Sequence, residues 1–232
     1  MDKIKIRLNN LFWNLLWKLR RFNSVENLVE AHFERWSDPN HQNREGLQIA
    51  LQNITHEKPN IVETGTSAYG TDSSRLFDSF VRSFGGKFFS VDINTYPSKQ
   101  LRLAKSRFSK FFVMDSVAFL EQIQDLTGES SFNLFYLDSW DVDWSDPIPS
   151  ANHGQKEIES IKPLLNPGTI LVIDDTPNSI NWIPQAEWKY VEKFRKDFGV
   201  LPGKGAFYKV ALKDFNYDVL HHEYNLVLKF KK

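Results

Sequence analysis

Glu63, Asp92, Asp115, Asp138 and Asp174 each close a short run rich in β-branched or aromatic residues, as in Phe88-Phe89-Ser90-Val91-Asp92. Such runs read as strands. Carboxylates at successive strand ends face one edge of a parallel sheet, where open α/β folds bind ligands. Asp92 can accept both hydroxyls of a ribose there. Asp115-Ser116 can take the exocyclic amine of an adenine. The loop Glu63-Thr64-Gly65-Thr66-Ser67-Ala68-Tyr69-Gly70 follows the first strand. Its two glycines allow a tight turn and close approach of a ligand. Glu63, Gly65, Thr66, Ser67 and Gly70 are the candidate contacts there, with Glu63 and Gly65 facing an amino-acid portion of the ligand. The helix that follows aims free N–H groups into the same loop. Gly-Lys-Ser/Thr is missing and Glu63 would repel a phosphate, so an adenosine ligand with a positive charge and no phosphates fits this edge best.

Regular elements must hold these residues. Strands are expected at Asn60–Thr64, Lys87–Asp92, Lys110–Met114, Asn133–Asp138 and Thr169–Asp174, with helices near Thr71–Ser83, Ser98–Ser106, Ser116–Leu126 and Asn152–Leu165. This alternation predicts a doubly wound, mostly parallel sheet with right-handed crossovers and helices on both faces. After a helix at Trp188–Phe198, Lys204–Leu212 and His222–Phe230 read as two more strands. The short stretch between them leaves no room for a crossover helix, so they pair antiparallel. The expectation is a seven-stranded α/β sheet over 59–232, preceded by a helical cap over 23–58.

The 232 residues suffice for one such domain, and 41% hydrophobic content is globular. Zero formal net charge argues against a nucleic-acid partner. The absence of cysteine excludes disulfides, thiolate zinc sites and thiol catalysis. No apolar run has the length of a membrane span.

Residues 1–22 stand apart. Ile4, Leu8, Leu11, Phe12, Leu15, Leu16, Leu19 and Phe22 recur at helical spacing, among Lys3, Lys5, Arg7, Lys18, Arg20 and Arg21. A basic amphipathic helix with Trp13 and Trp17 can lie on an anionic membrane, or pack on its own domain or a second subunit. It lacks the cleavage site of a signal peptide. A cytoplasmic chain, membrane-associated or homo-oligomeric through this helix, is expected.

Taken together, these residues resemble the class I, Rossmann-like methyltransferases that use S-adenosylmethionine. The likeness spans about Asn60 to Phe230. It rests on the acid-x-Gly loop, Asp92, Asp115-Ser116, Leu137-Asp138-Ser139 and the run from Leu164-Leu165-Asn166-Pro167-Gly168 to Asp174-Asp175. One departure is the second glycine, which falls five residues after Gly65 rather than four. The nearest likeness is to small O-methyltransferases of the catechol and macrolide-sugar type, which hold a divalent cation between strand-end acids. By that resemblance Asp138, Asp174 and Asp175 would hold Mg²⁺, and Asp138 would serve both cofactor and catalysis. Hard carboxylate oxygens suit Mg²⁺, and a bound dication acidifies a coordinated hydroxyl.

The long loop after the fourth strand can wall an acceptor pocket with Trp140 and Trp144. His153 is placed to act as a base, oriented by Glu157 one helical turn on. Asp141, Asp143 and Asp146 can bind a cation or only solvate the loop. Asp38 to Arg44 can close as a lid, with Arg44 on a methionine carboxylate. The expected function is methyl transfer from S-adenosylmethionine to a hydroxyl of a small-molecule or glycan acceptor. The competing readings are an adenosyl-binding module without turnover and another nucleotide-using α/β enzyme.

Overall fold

The inner strands of the sheet are buried on both sides, and their residues alternate between two apolar layers. The computed structural model describes residues 12–66, 70–95 and 106–232. Strands β1 (Asn60–Thr64), β2 (Lys87–Asp92), β3 (Ser109–Val113), β4 (Leu134–Leu137), β5 (Ile170–Ile173), β6 (Tyr217–His222) and β7 (Leu226–Phe230) form one sheet in the order β3-β2-β1-β4-β5-β7-β6. The first five are parallel, and β7 runs antiparallel to both β5 and β6.

Ile61, Leu134, Tyr136, Ile170 and Val172 point to one layer, packed against helices α2 (Val25–Trp36), α3 (Arg44–Gln52) and α4 (Ser73–Phe84). Val62, Phe135, Leu137, Leu171 and Ile173 point to the other, against α5 (Ser116–Glu121), α6 (Ile123–Thr127), α7 (Ile148–Ile161) and α9 (Tyr208–Ala211). Two covered faces are what parallel strands require. Helix α8 (Trp188–Phe198) buries Val191 and Phe194. A first helix, α1, covers residues 12–19 of the described chain. The expected contacts of residues 1–11, Ser67 and most of the helix at Ser98–Ser106 lie outside the described residues.

One expected strand is corrected. Lys204–Leu212 is a turn leading into α9, and the partner of β7 is Tyr217–His222. The aromatic and β-branched content of 207–212 suggested a strand. Burial of Tyr208, Ala211 and Leu212 follows helical spacing instead.

Candidate functional site

Register sets the site. Thr64 pairs with Val91 and with Leu137, and Leu137 pairs with Ile173, so four strands end together. Chain order reverses between β1 and β4, and ligand crevices open at such switch points. Here a cavity of about 380 Å³ is lined by Gly65, Thr66, Asp92, Asp138, Ser139, Asp174, Asp175 and Tyr224, with His41 and Asn43 from the α2–α3 connection.

Gly65 makes the turn out of β1. Its φ is +82°, and a Cβ there would lie 2.2 Å from the Asp138 carbonyl oxygen, so only glycine fits. The Thr66 N–H then donates to Asp92 Oδ2 at 3.1 Å, and the Asn94 N–H donates to Oδ1 at 2.6 Å. Asp92 is thus fixed at the cavity wall by two backbone donors, with lone pairs left for a ligand.

Glu63 does not face the cavity. It lies in β1 one residue before the strand's end, and strand alternation turns it toward α4. It is fully buried and accepts the hydroxyls of Ser73 and Ser90, both at 2.6 Å, and of Ser74. Burial lifts its pKa to about 7, and the three hydroxyls hold it from going higher. Its place is beneath the loop, tying β1 to the start of α4 and to β2.

Asp138, Asp174 and Asp175 come together as expected, and with them comes a cation the sequence did not suggest. The Lys204 ammonium, 2% exposed, pairs with Asp138 and lies 2.9 Å from Asp175 Oδ2. Burial works to lower the Lys204 pKa, but Asp138, then Asp175 and Asp174, outweigh it and the pKa is raised. Burial pushes Asp138 well above the usual carboxylate range, with Lys204 opposing. Burial and then Asp175 also raise Asp174. Asp174 Oδ2 accepts from Asn43 Nδ2 and the Tyr136 hydroxyl, each at 2.8 Å, and Oδ1 accepts the Asp175 N–H at 2.8 Å. The Tyr224 hydroxyl donates to Asp175 Oδ1. Burial, Asp138 and Asp174 raise the Tyr136 pKa, so its phenol keeps its proton.

Three hard carboxylates are a donor set Mg²⁺ takes. Here five of their six oxygens already accept protein donors, and an ammonium sits between two of them. As built, the cluster does not fit a divalent ion. Among the described residues no group of three or more acidic, histidine or cysteine side chains is arranged to hold one.

Other expected residues lie apart from the cavity lining. Asp115 is exposed and caps α5, its Oδ1 accepting the Ala118 N–H at 3.0 Å. His153 Nε2 lies 2.9 Å from the Ser139 hydroxyl and 3.0 Å from that of Ser116, and Ser139 donates to Glu157 Oε1 at 2.8 Å. Trp140 packs on the His153 ring, centroids 5.1 Å apart. His153 does not line the cavity. Arg44 donates to the Pro39 carbonyl at 2.8 Å, while His41 and Asn43 of the same segment reach the cavity. Asn43 N–H donates to His41 Nδ1 at 3.2 Å, so the neutral ring carries its proton on Nε2. A larger cavity, about 490 Å³, lies beyond Thr176 and is lined in part by Arg195, Lys209 and His222. It holds none of the strand-end acids, so the chemistry belongs to the smaller one.

Sequence reading missed Lys204, Asn43, Tyr136 and Tyr224. A signal existed for the first: the glycines on both sides of Lys204 mark a backbone packed closely on its neighbours.

No family model matches the chain, and neither does any curated protein. Solved structures do. The MycE methyltransferase of mycinamycin biosynthesis, in complex with Mg, S-adenosylhomocysteine and mycinamycin VI, is 15% identical at TM-score 0.60, covering 92% of this chain and 56% of its own. This chain therefore spans about half the length of that protein. An S-adenosylhomocysteine-bound methyltransferase from Podospora anserina is 12% identical at TM-score 0.56, covering 100% and 97%. A TDP-rhamnose 3'-O-methyltransferase of calicheamicin biosynthesis is 14% identical at TM-score 0.54, also covering 100% and 97%. At such identities the likeness is one of fold, and the fold is the Rossmann-like one of class I methyltransferases.

Proposed function

From that fold and its strand-end cavity, we propose that the chain transfers the methyl group of S-adenosylmethionine to a hydroxyl of a small molecule or sugar. The observation that carries this reading is Asp92, pinned by two backbone N–H groups at the wall of the switch-point cavity beside Gly65. That is where a ribose diol would be received. The solved neighbours named above lend support: two were crystallised with S-adenosylhomocysteine, and one is a TDP-rhamnose 3'-O-methyltransferase.

The remaining residues divide the work. Gly65 and Thr66 bring backbone to the cofactor. Ser139, with Ser116 and His153 behind it, offers a hydroxyl at the cavity wall. Asp138 is the group to take the acceptor's proton. The Tyr136 hydroxyl has one proton, lies 2.8 Å from Asp174 and 3.2 Å from Asp138 Oδ2, and donates to the nearer. Asp138 Oδ2 therefore keeps lone pairs free at the cavity. The acceptor oxygen attacks the methyl carbon, the C–S bond breaks, and its electron pair stays on sulfur, giving S-adenosylhomocysteine. The proton passes to Asp138. His41, whose pKa burial lowers, is neutral near pH 7 and donates from Nε2 rather than accepting.

Thermal shift tests the cofactor. S-adenosylmethionine at about 100 times its Kd is expected to raise Tm by roughly 5–10 °C. Asp92→Ala should weaken binding by about 100-fold or more, from roughly 3 kcal/mol of charged hydrogen bonding. An unmoved Tm at saturating cofactor would sink the reading. In a screen of hydroxylated acceptors, Asp138→Asn should slow S-adenosylhomocysteine formation by about 10²–10⁴.

The exposed face of α1 supports a second element of the proposal, contact with an anionic membrane surface. It presents Phe12, Leu15, Leu16 and Leu19 beside Lys18, Arg20 and Arg21. Among the described residues no helix is long and apolar enough to cross a membrane.

A further inference from the structure

Gly203-Lys204-Gly205 is laid against the loop after β5 with almost no spare room. The Lys204 N–H donates to the Asp175 carbonyl at 3.1 Å, and the Gly205 N–H to Thr176 Oγ1 at 3.0 Å. A Cβ on Gly203 would lie 2.1 Å from the Asp175 carbonyl oxygen, and one on Gly154 of α7 would lie 2.1 Å from the Lys204 carbonyl oxygen. The backbone of Lys204 is thus clamped between α7 and the Asp175–Thr176 loop. From that clamp its side chain runs, buried, to the strand-end acids.

We infer that Lys204 is the resident cation of this cleft: its ammonium holds the place between Asp138 and Asp175 that a bridging divalent ion would need, and the cluster takes no metal. A Mg²⁺ ion binds carboxylate oxygen at about 2.0–2.1 Å. An ion bridging Asp138 Oδ1 and Asp175 Oδ2 would therefore meet the ammonium that already pairs with both. The other oxygens give no alternative chelate. Both of Asp174 and Oδ1 of Asp175 accept protein donors, leaving Asp138 Oδ2 as the least engaged of the six. A lysine is almost never fully buried without a partner, and the acids need a counter-charge as much as it does. Swinging Lys204 away would strand both sides.

Lys204 does not line the cavity and is a positioning residue. It neutralises and orients Asp138 without binding the acceptor. The inference rests on the methyl-transfer reading only for what the cation serves. The ion exclusion itself is a property of the cluster.

Free Mn²⁺, counted by its paramagnetic resonance signal in solutions of the full chain with and without S-adenosylhomocysteine, tests it. The wild-type chain is expected to leave the signal unchanged at millimolar Mn²⁺. Lys204→Ala should take up one ion per chain, and adding Asp175→Asn should abolish that uptake. Stoichiometric uptake by the wild type that Asp175→Asn removes overturns the inference. So does a folded Lys204→Ala chain that takes up no ion. Wild-type uptake that survives Asp175→Asn but is removed by Asp138→Asn or Asp174→Asn also overturns it, and uptake that survives all three lies outside the cluster and agrees with its exclusion of metal. If Lys204→Ala does not fold, the wild-type measurement decides alone. Failure of S-adenosylmethionine to shift Tm would reject the proposed function and leave the Mn²⁺ result standing.

Discussion

Glu63 and His32 are both fully buried, and burial moves their protons in opposite directions. The His32 ring lies on α2 with Nε2 2.7 Å from the Thr71 carbonyl and Nδ1 without a partner. Burial lowers its pKa from 6.5 to about 4. As pH falls through that window the unfolded chain takes a proton that the folded chain refuses, so stability is lost. Burial raises Glu63 from 4.5 to about 7. As pH falls from 7 to 4.5 the folded chain takes the proton first, so stability is gained; it is lost again as pH rises. Each effect is on the order of 3 kcal/mol, and between pH 4.5 and 6.5 they nearly cancel. Single variants should unmask them. In its own stability curve, Glu63→Gln should lose stability as pH falls from 6.5 toward 4, where His32 acts alone, and His32→Gln should gain it as pH falls from 7 to 4.5, where Glu63 acts alone. Urea unfolding across that range measures both. If the variants and the wild type share one pH slope, the two assignments fail.

Helix α7 and the segment carrying Lys204 approach so closely that one methyl group decides the fit. In an exposed helix Gly→Ala would stabilise by about 1 kcal/mol. At Gly154 the added Cβ would meet a backbone oxygen at 2.1 Å, and overpacking of this kind costs about 1–3 kcal/mol. Gly154→Ala should therefore lower the urea midpoint and, by shifting Lys204, slow transfer. A raised midpoint would show that the clamp is slack. This contact also marks where sequence reading stopped. Asp92, Asp138 and Asp174 were legible because each closes a β-branched or aromatic run, and strand order puts such ends on one edge. Glu63 was read as facing a ligand, although within the correctly bounded strand its alternation sends it under the loop. Asn43 was read as part of a lid whose contact is Arg44, yet it stands at the N-cap of α3 without a capping bond and gives its amide to Asp174. Lys204 pairs with Asp138 across 66 residues. No local periodicity encodes such a pair, and a lysine normally signals surface.

At the scale of the molecule, the sheet and its helices account for one side of α1 and leave the other open. Trp17 is buried and donates to Ser79 Oγ at 2.8 Å. Arg82 closes the helix end by donating to the carbonyls of Trp17, Lys18 and Arg20 at 2.9, 2.6 and 2.6 Å. So α1 is fastened to α4, and its remaining apolar residues do not complete the core. Phe12, Leu15, Leu16 and Leu19 fall at i, i+3, i+4 and i+7 and are 55, 49, 42 and 78% exposed. Covering the exposed part of four such side chains is worth roughly 3–5 kcal/mol. Each basic residue near an anionic surface adds about 1 kcal/mol. Together these suffice for reversible contact with a membrane, strengthened by anionic lipid and weakened by salt. Leu15→Glu with Leu19→Glu should leave Tm within about 1 °C, because neither residue is buried. The same pair of changes should release the chain from anionic vesicles in flotation. Retention of the double variant on those vesicles would place the contact elsewhere. A change in its elution volume without vesicles would show that a second copy of the chain covers this face instead.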